Sequence, residues 1–167
     1  MNLQQDRTWM EVNLDILREN YDTIRNGIKK NSDIMVMLKA NAYGLGAIPI
    51  ARELESIGCQ RFGVACFEEA MELRDAGIQT PILIVGMLQQ QQVPVAIKQN
   101  FSVTVSDLAA AEKYSRLAEA AGGKLHTYIK VDVGMSRFGI VLDEHMEEAV
   151  GEVIEMYRLQ ILFGMVL

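Results

Sequence analysis

The sequence predicts an α/β protein built on parallel strands. Three observations lead there. Short apolar runs rich in Val, Ile, Met and Phe recur at roughly 20- to 30-residue spacing. Between them lie segments whose apolar residues step by three and four, as one buried helix face requires. No Asn-Gly or Asp-Gly pair joins two runs, so hairpins are not signalled. Such alternation implies parallel strands joined by right-handed helical crossovers. Two closures satisfy it: an open doubly wound sheet and a (β/α)8 barrel. A barrel usually takes about 250 residues. This chain has 167 and offers about six β-α strands, so a barrel here is an incomplete one.

Each element has its own reason. "TWMEVNL" (8–14) alternates apolar and polar residues, the pattern of a half-buried strand. Leu14, Leu17, Tyr21, Ile24 and Ile28 form one helix face, with Asn13 as its N-cap. "IMVML" (34–38) is a continuous apolar run, expected of a strand buried on both faces. Ile50, Leu54 and Ile57 mark the next helix, closed by Gly58. "RFGVACF" (61–67) is a strand, and "EEAMELRDAG" a helix with acids in its first turn and Gly77 as its stop. "PILIVG" (81–86) is a strand. A weaker helix over about 88–98 is interrupted by Pro94. "FSVTVS" (101–106) is a strand, and Ser106 or Asp107 caps the helix that runs to Gly122-Gly123. "KLHTYIKVDVG" (124–134) is a strand, Met146 to Tyr157 a helix, and "ILFGMVL" (161–167) a further strand.

Composition narrows the function. Half of the residues are hydrophobic and 23% are charged, which suits one globular domain. Net charge is −6 with no basic cluster, so nucleic acid is not an expected partner. The polar, acidic N-terminus lacks the basic and apolar regions of a signal peptide. No apolar run nears the roughly 20 residues of a membrane helix. The expectation is a cytoplasmic protein with no membrane association. Cys59 and Cys66 are not in a CxxC spacing, and His126 and His145 lie far from both. Free thiols, structural histidines and no metal site are expected.

Two stretches carry chemistry. In "DIMVMLKANAYGLG" (33–46) an apolar run ends in Lys39, followed by Tyr43, Gly44 and Gly46. In parallel architectures functional groups gather at the carboxyl ends of strands. A lysine in low-dielectric surroundings becomes a usable amine. The glycines would let backbone amides approach a phosphate. A lysine closing a buried run can also simply reach for water. In "IKVDVGMSRFG" (129–139) a strand carries Lys130 and Asp132 on one side and opens into a loop with Arg137 between two glycines. The guanidinium suits a phenolate or carboxylate. A buried Lys130–Asp132 ion pair is the plainer alternative.

These two segments resemble the motifs of alanine racemase and its close relatives, enzymes that use pyridoxal phosphate (PLP). The resemblance covers the chain in order. "RTWMEVNLDILRENYDTIR" is similar to the family's opening, "LKANAYGLG" to its cofactor-lysine motif, "FGVACFEEAMELRDAGIQTPILIVG" to the stretch that follows, and "KVDVGMSRFGI" to its arginine motif. It implies a (β/α)8 TIM-type barrel of which residues 1–167 form the N-terminal part, without the C-terminal β domain. Lys39 would hold PLP as a Schiff base and act as one of two bases. Tyr43 would contact the phosphate. Arg137 would bind the phenolic oxygen of the cofactor and the substrate. Lys130 matches a position carbamylated in many members, and Asp132 would be structural. The second base would be a tyrosine of the partner subunit, so a homodimer is implied.

The match has departures. Leu45 stands where the family usually has His, and Val133 where it has Thr. The run "LFGMVL" aligns with the sixth strand, and the sequence stops where a Thr-His pair is expected. The resemblance implies interconversion of L- and D-alanine, supplying D-alanine for peptidoglycan. This chain alone is expected to be inactive and to self-associate through open strand edges. A serine racemase of the same superfamily and a non-catalytic PLP-binding barrel protein are the alternatives.

Overall fold

In a computed structural model, which describes residues 8–141, 146–159 and 162–166, the strand–helix alternation is present. The elements are α1 (Leu14–Gly27), β1 (Met35–Met37), a short α2 (Lys39–Tyr43), α3 (Ala47–Ser56), β2 (Arg61–Val64), α4 (Phe67–Asp75), β3 (Ile82–Ile84), α5 (Val93–Lys98), β4 (Ser102–Val105), α6 (Leu108–Ala120), β5 (Leu125–Ile129), β6 (Val131–Asp132), β7 (Ile140–Val141), α7 (Met146–Arg158) and β8 (Leu162–Val166). The caps are those the sequence marks. The Asn13 side chain accepts from the N–H groups of Asp15 (2.9 Å) and Ile16 (3.2 Å). Asp107 accepts from the N–H of Ala110 at 2.7 Å. Each satisfies helix-end donors that have no partner within the helix.

Six strands form one sheet in the order β1-β2-β3-β4-β5-β8, every pair parallel. A doubly wound sheet reverses its strand order at a switch point. Here each strand adds beside its predecessor without reversal, which is how a barrel is built. Curvature points the same way. Arg61 on β2 and Tyr128 on β5 are three strand spacings apart, roughly 14 Å in a flat sheet. Their side chains nonetheless meet, Nη1 to Oη at 3.2 Å, across the concave face. The fold is an incomplete TIM-type barrel.

The core lies between the convex face and the helices. Phe62, Val64, Ile82, Ile84, Val103, Val105, Leu125 and Ile129 are at most 3% exposed and pack with Ile50, Leu54, Leu73 and Tyr114. Their alternates face inward. Register sets Gly63 beside Leu83, Leu83 beside Ser102, Ser102 beside His126 and Thr104 beside Tyr128. Residues on this face are more polar, and His126 is exposed there.

Four expectations need correction. Residues 8–13 pair with no strand among the described residues; Trp9 and Met10 are exposed, so alternation alone did not secure a partner. β1 is only half-buried, because it is the first strand of the sheet. Pro94 does not interrupt a helix: a 3-10 turn (Gln90–Gln92) precedes it and it stands in the first turn of α5, where its missing N–H costs nothing. The 124–134 strand breaks at Lys130, where the chain leaves β4 for the short β6–β7 pair. His145 lies outside the described residues.

Candidate functional site

Lys39 stands at the carboxyl end of β1. The N–H of Leu38 still bonds to the carbonyl of Gly63 at 2.7 Å, so the strand ends one residue before the lysine. The backbone then does something rare. Ala40, Asn41, Ala42 and Tyr43 all have φ between 52° and 56°, which makes α2 a left-handed turn. Left-handed conformation costs L-residues about 1–2 kcal/mol each, so this segment persists only because its surroundings fix it.

Neighbouring groups fix it from both sides. Gly44 continues the left-handed run at φ 88°, which glycine adopts freely. Its N–H bonds to the carbonyls of Ala40 (2.9 Å) and Asn41 (3.1 Å), and that of Gly46 to Asn41 (3.0 Å). The Asn41 side chain accepts from the N–H of Ala47 at 2.7 Å, joining the turn to the start of α3. The Glu69 carboxylate accepts from the N–H groups of Ala40 and Ala65, each at 2.7 Å. The amides of Gly44 and Gly46 therefore close the turn rather than wait for a phosphate, which corrects the expectation from the sequence. The turn presents a half-buried Lys39 whose Nζ lies 5.8 Å from the ring centre of an exposed Tyr43.

The second group follows β5. Asp132 is 5% exposed. Its carboxylate accepts from the N–H groups of Gly134 (2.9 Å), Ser136 (3.0 Å) and Arg137 (3.0 Å). The bonds from Ser136 and Gly134 hold its pKa below the usual carboxylate value, against the opposing effect of burial. The loop is thus wrapped on one anion, and Arg137 leaves it exposed. Gly139 has a steric role: a Cβ there would lie 2.9 Å from the carbonyl oxygen of Lys130 and 3.1 Å from the nitrogen of Asp132. Lys130 is half-buried, with Nζ 4.8 Å from the ring centre of Phe138. The Lys130–Asp132 ion pair considered from the sequence is not formed, because backbone donors engage Asp132 and an aromatic face takes the ammonium.

Both groups thus lie at carboxyl ends of strands of one parallel sheet, Lys39 and Tyr43 after β1, Lys130 and Arg137 after β5. The donor set suits an anionic aromatic aldehyde such as PLP: an amine for the carbonyl, a phenol and a permanent cation for its oxygens. Two contributors carry no direct signature in the sequence. Glu69 reads there as one of the acids in a first helical turn, and nothing marks Asn41 between Lys39 and Tyr43. The thiols are bystanders: burial pushes Cys59 and Cys66 up, which disfavours the reactive thiolate.

Known proteins place this arrangement. The family model described as alanine racemase, N-terminal domain, matches residues 12–165. The chain is 40% identical to an alanine racemase of Desulforamulus reducens over 81% of its own length and 37% of that protein. It is 33% identical to one of Methanococcus maripaludis over 92% of its length and 41% of that protein. It therefore spans well under half of these curated relatives. Among solved structures, an alanine racemase of Clostridium difficile in complex with cycloserine superposes with a TM-score of 0.89 at 35% identity, covering 97% of this chain and 44% of that one. A histidine racemase of Leuconostoc mesenteroides superposes at 0.78 with 25% identity, covering 92% and 41%. The motifs, the sequential parallel sheet and these matches agree: the chain belongs to the alanine racemase family, within its N-terminal domain.

Proposed function

We propose that this chain contributes the cofactor-lysine face of a PLP-dependent racemase acting on alanine. One observation supports this most: Lys39 stands at a strand mouth and leads into a left-handed turn, in a chain of this family. Lys39 would hold the cofactor through its aldehyde carbon, with loss of water, and its Nζ would be freed as an amine when the substrate amine takes its place. The Tyr43 hydroxyl would donate to its phosphate. The Arg137 guanidinium would donate to its phenolic oxygen and to the substrate. Bound PLP acidifies the substrate Cα–H by delocalising the electrons left behind. Lys39 Nζ would take and return that proton on one face. Lys130, if its amine adds carbon dioxide and loses a proton, would exchange its place on Phe138 for an anionic contact with Arg137.

Racemisation also needs a proton-transfer group on the opposite face. We place it on a partner subunit of a cytoplasmic homodimer, which would supply D-alanine for peptidoglycan. The likeness to a histidine racemase favours a second reading, in which the same cofactor side serves another amino acid. Deuterium exchange tests both. The chain is incubated with PLP and each enantiomer of alanine, serine or histidine in D2O. We expect α-deuterium to enter one enantiomer of alanine without inversion, faster than with PLP alone, and Lys39→Ala to abolish the excess. Racemisation by the chain alone would contradict the one-base assignment. Faster exchange of histidine would favour the second reading.

A further inference from the structure

We propose that Glu69 is a positioning residue for Lys39. Its carboxylate ties the left-handed turn after the lysine to the carboxyl end of β2. Glu69 is the third residue of α4. Oε2 accepts from the N–H of Ala65, four residues back, at 2.7 Å. That bond is local and resembles the closure of many helix starts. Oε1 accepts from the N–H of Ala40 at 2.7 Å, across 29 residues of sequence. Helix closure does not require that second bond.

Its consequence follows from peptide geometry. The N–H of Ala40 and the C=O of Lys39 share one rigid plane. Holding that N–H fixes the plane through which the Lys39 backbone leaves β1. Ala40 is also the first residue of the left-handed run, at φ 52°, and carries a Cβ that disfavours this conformation. Gly44 and Asn41 brace the far end of the turn; Glu69 braces the end next to the lysine. Ala65 and Ala40 follow neighbouring strands, so one carboxylate sets both strand mouths at one height. The functional consequence rests on Lys39 being the cofactor lysine; the clamp itself does not.

Glu69→Gln tests this. The amide keeps the size of the carboxylate but replaces one acceptor oxygen with a donor, so it cannot serve both N–H groups. Glu55→Gln is the control. Glu55 accepts on a single oxygen, Oε1, from the N–H of Gln79 (2.8 Å) and from the N–H (2.6 Å) and hydroxyl (2.8 Å) of Thr80 at the amino end of β3, so its amide variant keeps the acceptor and loses only the charge that strengthens these bonds. Each variant is read in two ways by mass spectrometry. One is borohydride-trapped PLP labelling of Lys39; the other is trace acetylation of Lys39 relative to Lys98 and Lys113 in the same sample. In Glu69→Gln we expect PLP labelling of Lys39 to fall about tenfold, the worth of one hydrogen bond to a charged group. The relative acetylation of Lys39 should change while Lys98 and Lys113 keep theirs. Glu55→Gln should lower the melting temperature and leave both readouts unchanged.

Unchanged Lys39 selectivity in Glu69→Gln, or an equal change in Glu55→Gln, would overturn the proposal. If the unaltered chain takes no PLP on Lys39, the cofactor reading fails by itself, and acetylation still decides the role of Glu69. If Glu69→Gln does not fold, hydrogen exchange of the unaltered chain decides. A protected Ala40 amide supports the clamp, and an unprotected one overturns it.

Discussion

Asp132 gathers three backbone N–H groups on one carboxylate, and the arginine loop depends on that charge. Its folded pKa is depressed. The stabilisation is therefore full above the unfolded carboxyl value of about 3.9 and is lost as pH falls through the folded value. Asp132→Asn should lower the melting temperature at neutral pH, and that gap should close as melts are repeated below about pH 4. A gap that persists in acid would show that shape, not charge, holds the loop. At this scale the sequence was informative where a residue type was unusual for its place. Lys39 and Arg137 stand out because cations beside apolar strands ask for a reason. Glu69 does not, since acids in a first helical turn are common for their own reasons. Its second partner, 29 residues away, is visible only in the fold.

Local chemistry decides which elements could be read. Helices with a cap and one apolar face, such as α1 and α6, fall where capping and periodicity put them. The left-handed α2 could not be read, because Ala-Asn-Ala-Tyr carries no preference for it apart from the asparagine. Its conformation comes from contacts on either side. Asn41→Ala removes both the residue most tolerant of that conformation and the acceptor for the N–H of Ala47. We expect a loss of about 1–2 kcal/mol in denaturant melts, with weaker PLP labelling of Lys39. The strand expected over 124–134 ends early for a similar reason. The N–H of Lys130 makes the last bond to β4, at 2.8 Å to the carbonyl of Val105, and beyond it the Asp132-centred loop takes over. Alternating hydrophobicity marks what can be a strand; pairing decides what is one.

The whole molecule is a curved parallel sheet with helices on its convex side, and the two layers answer to different demands. Buried strand residues hold the fold. Phe62, fully buried in the core, should cost about 3–5 kcal/mol when replaced by Ala, measured by denaturant unfolding. The concave side and the strand mouths carry the chemistry. Among the described residues β1 and β8 are the ends of the sheet, and Met87, Val133 and Met135 are exposed. Such edges and patches favour association, so sedimentation should show dimers or larger species that grow with concentration. The strand–helix alternation was legible in the sequence, and the resemblance supplied the closure; the curl of the sheet appears only in contacts such as Arg61 to Tyr128. We propose that this fold presents Lys39 as the cofactor amine. Borohydride reduction after incubation with PLP, followed by peptide mapping, tests it most directly. We expect one stoichiometric adduct, on Lys39, reduced in yield by Asn41→Ala. Adducts scattered over surface lysines such as Lys98 and Lys113, or none, would contradict it.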